Sequence, residues 1–245
     1  MTRVRARTAT GALAVLIAAA GLTGAAQAKS PRAVIELFTS QGCSSCPPAD
    51  ALLAKLARED DLIALSLPVD YWDRLGWKDT FAKHAFTERQ AAYSNVRGDR
   101  QVYTPQAVVN GTEHAVGSQR TAINAAISDT ASSLSVPLAL IRSQDTLEVS
   151  VGAGADAPAR AVLVLMPYLA ARDVAIGRGE NARRTITYTN IVRDIVPVAD
   201  WNGKPIARTI PLNEYKNYDG LVVLLQAGSP GNPGAILGAG RLALR

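Results

Sequence analysis

The sequence predicts an α/β unit of order β-α-β-α-β-β-α followed by an all-β, sandwich-like part. Three observations carry this. An apolar run, Ala33–Phe38, ends in small polar residues and leads through Cys43-Ser44-Ser45-Cys46-Pro47-Pro48 into Ala51, Leu52, Leu53 and Leu56 at helical spacing. A second apolar run, Leu62–Leu67, follows the polar break Glu59-Asp60-Asp61, so strand, helix and strand make a parallel pair with a right-handed crossover. Beyond Asp129–Ser133 the chain changes character, to short β-rich runs separated by Gly, Asp and Pro.

Taken in order, Ala33–Phe38 reads as a strand buried on both faces, because it is almost uniformly apolar. The helix after the cysteines extends to about Arg58. Pro68 then opens Val69-Asp70-Tyr71-Trp72-Asp73-Arg74-Leu75-Gly76-Trp77, with two of the three tryptophans. This segment leaves the C-terminal end of a strand, where open α/β sheets bind ligands. Tyr71 and Trp72 are therefore candidate substrate contacts, and covering the sheet is the alternative. Asp79 to about Tyr93 reads as a helix bearing His84. Ala107–Val109 is a strand, Asn110-Gly111 is a type I′ hairpin signal, and Glu113–Val116 is the return strand. A helix follows with Ser118 as its N-cap. Thr104-Pro105 opens the third strand, where a cis bond or a trans proline both fit.

The later β runs are Val136–Ile141, Thr146–Val151, Ala161–Met166, Arg184–Tyr188, Ile191–Val198, Ala207–Ile210 and Leu221–Gln226, with Gly238–Leu244 as a final edge strand. Between them, Gly177–Arg184 is a charged, glycine-bearing loop. It fits an anion or partner site, or a plain solvated hairpin.

Residues 1–28 read as a secretory leader. Arg3, Arg5 and Arg7 precede an apolar core, and Ala26-Gln27-Ala28 is a small-x-small cleavage site. The expected units are then 1–28, 29–133 and 134–245. The formal charge of +5 includes those three arginines, so residues 29–245 carry +2 and make no case for nucleic acid. After cleavage no stretch could span a bilayer. The expected location is periplasmic or secreted, an oxidising setting in which the only two cysteines, Cys43 and Cys46, form a disulfide unless something reduces it.

Cys-x-x-Cys at the mouth of a helix has a chemical reason. A helix N-terminus carries unpaired N–H groups and partial positive charge, and both favour a thiolate, the nucleophilic form. The helix could begin at Cys43 or nearer Cys46. Cys43, on the loop side, is expected to be the exposed attacking sulfur and Cys46 the buried resolving one. A structural disulfide is the competing reading, but closing so short a loop removes only roughly 2 kcal/mol of unfolded-state entropy. Zinc is not expected, since His84 and His114 stand in no ligand-like spacing. No phosphate loop, triad or cofactor motif is present.

The order of elements, with Cys-x-x-Cys after the first strand and Thr-Pro before the third, resembles thioredoxin over the whole N-terminal part. That resemblance implies that Pro105 is cis, faces Cys43 and Cys46 and, with Thr104, binds substrate backbone. It also implies a buried acid that takes the proton of the resolving cysteine. Glu36 is the nearest candidate, with a salt-bridged glutamate as its other reading. Val34–Asp50, Val69–Asp79, Tyr103–Gly111 and the charged loop are similar to the DUF1223 family of secreted thioredoxin-like proteins, whose function is not established. Many members carry a histidine before Val-Asp-Tyr-Trp-Asp, where this chain has Pro68.

The function expected is a thiol–disulfide oxidoreductase with Cys43, Cys46, Pro105 and Glu36 as its catalytic set. Its partners would be protein or small-molecule thiols and disulfides, and it would need no cofactor. The alternatives are a binding module with a permanent disulfide and a Cu(I) carrier, the latter weakened by having only Met1 and Met166.

Overall fold

A computed structural model of the chain describes residues 30–155, 158 and 160–245; the expected leader, residues 1–28, lies outside them. The first elements are β1 (Ala33–Thr39), α1 (Pro47–Leu56), β2 (Leu62–Pro68), α2 (His84–Arg97), β3 (Gln106–Val109), β4 (Glu113–Val116) and α3 (Arg120–Asp129). Then come β5 (Leu138–Ser143), β6 (Thr146–Val151), β7 (Ala161–Ala175), β8 (Thr185–Val192), β9 (Val196–Trp201), β10 (Ile206–Pro211), β11 (Gly220–Ser229) and β12 (Asn232–Ala243).

The expected fold class is overturned. The chain does not make a thioredoxin-like α/β domain followed by a separate sandwich. One mixed sheet of nine strands runs β12-β11-β7-β8-β2-β1-β3-β4, with β9 also on β7, and only β10-β6-β5 form a second sheet. The junction is β2, which pairs in parallel with β1 on one side and with β8 at Ser66↔Ile191 on the other. Asn190 secures it by donating its side-chain N–H to the carbonyl of Ala64 at 2.9 Å.

The physical reason is visible in burial. Ala161–Met166 of β7 and Leu221–Gln226 of β11 are buried at every position. Such strands need cover on both faces, as central strands do, whereas sandwich strands alternate. One set of side chains (Leu163, Leu165, Val223, Leu225) packs on the small sheet through Leu147 and Val149. The other (Val162, Val164, Val222, Leu224) shares a single core with Val34, Phe38, Phe86 and Tyr93 from the first half.

The same two-residue period sorts β1. Val34, Glu36 and Phe38 face α2, while Ala33, Ile35 and Leu37 face α1 and α3. The β3–β4 hairpin turns on Asn110 and Gly111, both at positive φ, as a type I′ turn requires. The second helix starts five residues later than its pattern suggests. The Asp79 carboxylate accepts the N–H groups of Phe81 and Ala82, which makes a local turn, and Lys83 is extended before the helix begins at His84. Among the described residues no helix is long and apolar enough to cross a membrane.

Candidate functional site

The cysteines sit between β1 and α1 and are joined as a disulfide with Cα atoms 5.4 Å apart. The helix begins at Pro47, with Cys46 as its N-cap, so the later of the two expected starts is the real one. Pro47 and Pro48 contribute no N–H to the helix mouth. Ser45 Oγ lies 3.4 Å from Cys43 Sγ; a disulfide sulfur carries no proton, so the hydroxyl is the donor.

Both cysteines are wholly buried, with no exposed area on either residue, while Ser44 and Ser45 are exposed. This corrects the expectation of an accessible Cys43. A segment 136–140 residues away in sequence packs on this turn. The tip of the β7–β8 loop lies on the turn, and Asn181 Nδ2 donates to the carbonyls of Gln41 (3.0 Å) and Cys43 (2.8 Å). Glu180 Oε2 accepts the N–H of Ser44 at 3.2 Å. The loop read as a solvated hairpin or a partner site is thus packed against the cysteines.

The aromatic segment after β2 also docks here, by two hydrogen bonds. Trp72 Nε1 donates to Thr104 Oγ1 at 2.8 Å, and Trp77 Nε1 donates to Gln41 Oε1 at 2.8 Å. Tyr71 lies beside Trp72 and Thr104, its hydroxyl donating to Gln90 Oε1 at 3.3 Å. The Thr104–Pro105 bond is cis, Pro105 is buried, and the Thr104 carbonyl is within 3.5 Å of Ser45 Oγ. Structure therefore brings together Cys43, Cys46, Thr104, Pro105 and Trp72. Pro68 ends β2 opposite Thr39.

Glu36 is elsewhere. It points to the α2 face of the sheet, opposite α1, and is gripped by Arg89, whose Nε and Nη2 donate to its two oxygens at 2.7 and 3.1 Å. Tyr93 also donates to it, and Gln226 of β11 accepts from Arg89 at 2.9 Å. The salt-bridged reading is the one observed.

The buried acid beside the cysteines is Asp50, one helical turn after Cys46 and 2 % exposed. Its Oδ1 accepts from Thr39 Oγ1 at 2.8 Å, and Oδ2 has no hydrogen-bond partner among the described residues. Burial pushes its carboxyl up to about 8; the Thr39 bond opposes this and the Asp79 charge adds to it. Asp79 is itself raised, first by burial, although Gln41, Phe81 and Ala82 donate backbone N–H groups to it. The Tyr188 hydroxyl, also buried without a partner, is pushed up by burial and then by these two carboxyls. Sequence reading missed Gln41, Asp50, Asp79, Glu180 and Asn181. Only Asp50 had a local signal: an acid four residues after Cys46, on the same helix face.

Gly117 completes the packing. A Cβ there would stand 2.4 Å from Leu37 Cδ1 and 3.2 Å from both Ala49 and Pro105. Gly117→Ala is expected to cost about 1–3 kcal/mol by overpacking, measured by urea unfolding. An unchanged midpoint would show that Pro105 is free to move.

Among the described residues no group of three or more His, Cys, Asp or Glu side chains is placed to hold a metal ion. A protein-family model described as "Protein of unknown function (DUF1223)" matches residues 34–226, the family that the cysteine, aromatic and Thr-Pro segments resemble. An X-ray structure of an Agrobacterium tumefaciens protein is similar, with 35 % identity and a TM-score of 0.79, over 89 % of this chain and 96 % of that one. No curated protein matches.

Proposed function

This chain belongs to the DUF1223 family, proteins of unknown function, and we propose from its cysteine site that it is a thiol–disulfide oxidoreductase. The observation that carries the reading is the pairing of a Cys-x-x-Cys disulfide at a helix start with a buried, protonatable Asp50 one turn on. A structural staple has no use for a buried carboxyl with a free oxygen; a sulfur that must gain and lose a proton does.

In the dithiol form Cys43 is the attacking thiolate, stabilised by Ser45 Oγ and the amides of the turn. It attacks a substrate disulfide R–S–S–R′ and forms Cys43–S–S–R. The R′S⁻ released takes a proton. Cys46 gives its proton to the ionised Asp50 and, as thiolate, attacks Cys43 Sγ. That expels RS⁻, which is protonated in turn, and closes the Cys43–Cys46 bond. Two electrons pass from the protein to the substrate; a dithiol donor returns them. Pro105 and Thr104 border the turn where substrate backbone would lie, with Trp72 holding Thr104. Partners are thiols or disulfides on proteins or small molecules, met in the periplasm or outside the cell if residues 1–28 act as a leader.

The test is reduction of insulin disulfides by the dithiol protein, with Cys43→Ser and Cys46→Ser beside it. Turnover is expected in the parent alone, with Cys46→Ser trapping a mixed disulfide on Cys43. Equal rates in all three proteins would end this reading. A second reading rests on the full burial of both sulfurs: a partner-binding protein with a permanent disulfide. A reduction potential below about −300 mV would favour that reading.

A further inference from the structure

The loop between β7 and β8 is tied to the disulfide turn by three hydrogen bonds, and none of them belongs to a regular ladder. Asn181 is 1 % exposed, and its two N–H donors are spent on the carbonyls that flank Gly42. Arg184 Nη1 donates to Asn181 Oδ1 at 3.3 Å, so the amide oxygen is held as well. Gly42 packs closely against Trp72: a Cβ there would be 3.2 Å from Trp72 Cβ, tighter than an ordinary contact. The loop end is itself pinned. Gly177 would place a Cβ 3.2 Å from the Trp77 ring, and that ring is bonded to Gln41.

The third bond has a different character. Ser44 N–H lies between the two cysteines and is taken by the Glu180 carboxylate. With a neutral disulfide below it, this contact is favourable. With a thiolate at Cys43, two anions compete for the same turn, and the N–H that would steady the sulfur is already occupied. Pro47 and Pro48 make the conflict sharper, because they remove the amides that a helix mouth would otherwise offer.

We propose that residues 176–184 are a redox-responsive latch, closed on the disulfide through Asn181 and Glu180 and released when Cys43 becomes a thiolate. This rests on the oxidoreductase reading and gives it a direction. Contacts made only in the disulfide form stabilise that form, and by linkage they make the dithiol the stronger electron donor. The oxidised protein is closed to incoming thiols, whereas the reduced protein opens over Cys43. The substrate class is therefore a disulfide to be reduced, and a separate dithiol donor must open the latch to regenerate the protein.

The experiment compares the parent with Asn181→Asp, which keeps shape but turns both donors into acceptors facing carbonyls, and with Glu180→Gln, an exposed change that leaves folding undisturbed. Each is equilibrated in glutathione buffers and trapped for mass, and each is reduced with tris(2-carboxyethyl)phosphine under a time course. Asn181→Asp is expected to shift the equilibrium about tenfold toward the dithiol, about 30 mV for this two-electron couple, and to react with the phosphine at least tenfold faster. Glu180→Gln is expected to shift it about two- to threefold in the same direction. In the parent, hydrogen exchange at the amides of Ala182 and Arg183, bonded in the closed loop to Gly179 and Ile176, is expected to be more than tenfold faster after reduction. Unchanged equilibria in Glu180→Gln, or equal exchange in the two redox forms, would overturn the latch. None of these readouts uses insulin, so an inactive protein with a working latch and an active protein without one are told apart.

Discussion

Asp50→Asn is expected to stabilise the oxidised protein by about 3 kcal/mol at pH 8 and to destabilise it by about 2 kcal/mol at pH 4. The carboxyl is pushed up to about 8, with burial as the first cause. In the unfolded chain it titrates near 4. Between those values the folded state holds a proton that the unfolded state has lost. Stability therefore falls as pH rises through this window, at up to about 1.4 kcal/mol per unit, and levels off above it. The whole window amounts to about 5 kcal/mol. Burying an amide with its own unmet hydrogen bond takes back part of that, hence about 3. Asparagine has no proton to exchange, so the variant lacks the slope, and the same amide cost leaves it about 2 kcal/mol below the parent near pH 4, the two curves crossing in between. Urea unfolding at pH 4, 6 and 8 reads this directly; parallel curves would show that Asp50 is not held protonated.

The same substitution is expected to slow resolution of the mixed disulfide about ten- to a hundredfold, as loss of a positioned proton acceptor does. Stopped-flow rates across pH 6–9 should show the parent rising as Asp50 ionises, and the variant slower, rising only with the thiolate fraction of Cys46 itself. A site acid that makes the fold less stable while making its chemistry faster is what a functional residue looks like in thermodynamic terms. A variant both more stable and equally fast would remove Asp50 from the mechanism.

Much of the first half could be read from local pattern, because its signals are local. The strand–turn–helix around Cys43 and the Asn110-Gly111 turn depend on residues within one or two turns of each other. The fold class was missed because the deciding contact is long-range: Ser66 and Ile191 pair across more than a hundred residues. A hint was present. Ala161–Met166 and Leu221–Leu225 are too uniformly apolar for a sheet with a wet face. Glu36 was misassigned by one face of a strand. Position along β1 placed it near the strand's end, but the two-residue period sends Ile35 and Leu37 toward α1 and Glu36 toward Arg89. Asn181 could not have been found locally, because an asparagine in a charged loop carries no mark of the two carbonyls it will meet.

Arg89→Met is expected to cost about 4 kcal/mol. Glu36 has no exposed area, Arg89 is 4 % exposed, and the pair meets side-on through Nε and Nη2. Burial works against the Arg89 charge, yet the Glu36 charge raises its affinity for the proton, so the cation persists. Removing it leaves a carboxylate in the core with only Tyr93 donating to it, and a buried charge without its partner costs about 3–5 kcal/mol. Removing both members is a smaller loss. In Glu36→Leu with Arg89→Met, the Tyr93 hydroxyl still accepts from Gln226 Nε2 at 2.7 Å, while its own proton loses Glu36 and Gln226 Oε1 loses Arg89. The double variant should lie about 1–2 kcal/mol below the parent, so the two changes are strongly coupled in a double-mutant cycle. The pair sits where β1, α2 and β11 meet, tying the first half of the sheet to the second, so its loss should be seen in global unfolding by urea. It also lies across the sheet from α1. The folded double variant is therefore expected to resolve mixed disulfides at the parent rate. A slowing like that of Asp50→Asn would return Glu36 to the proton path, and additive losses in the cycle would show that the two charges do not depend on each other.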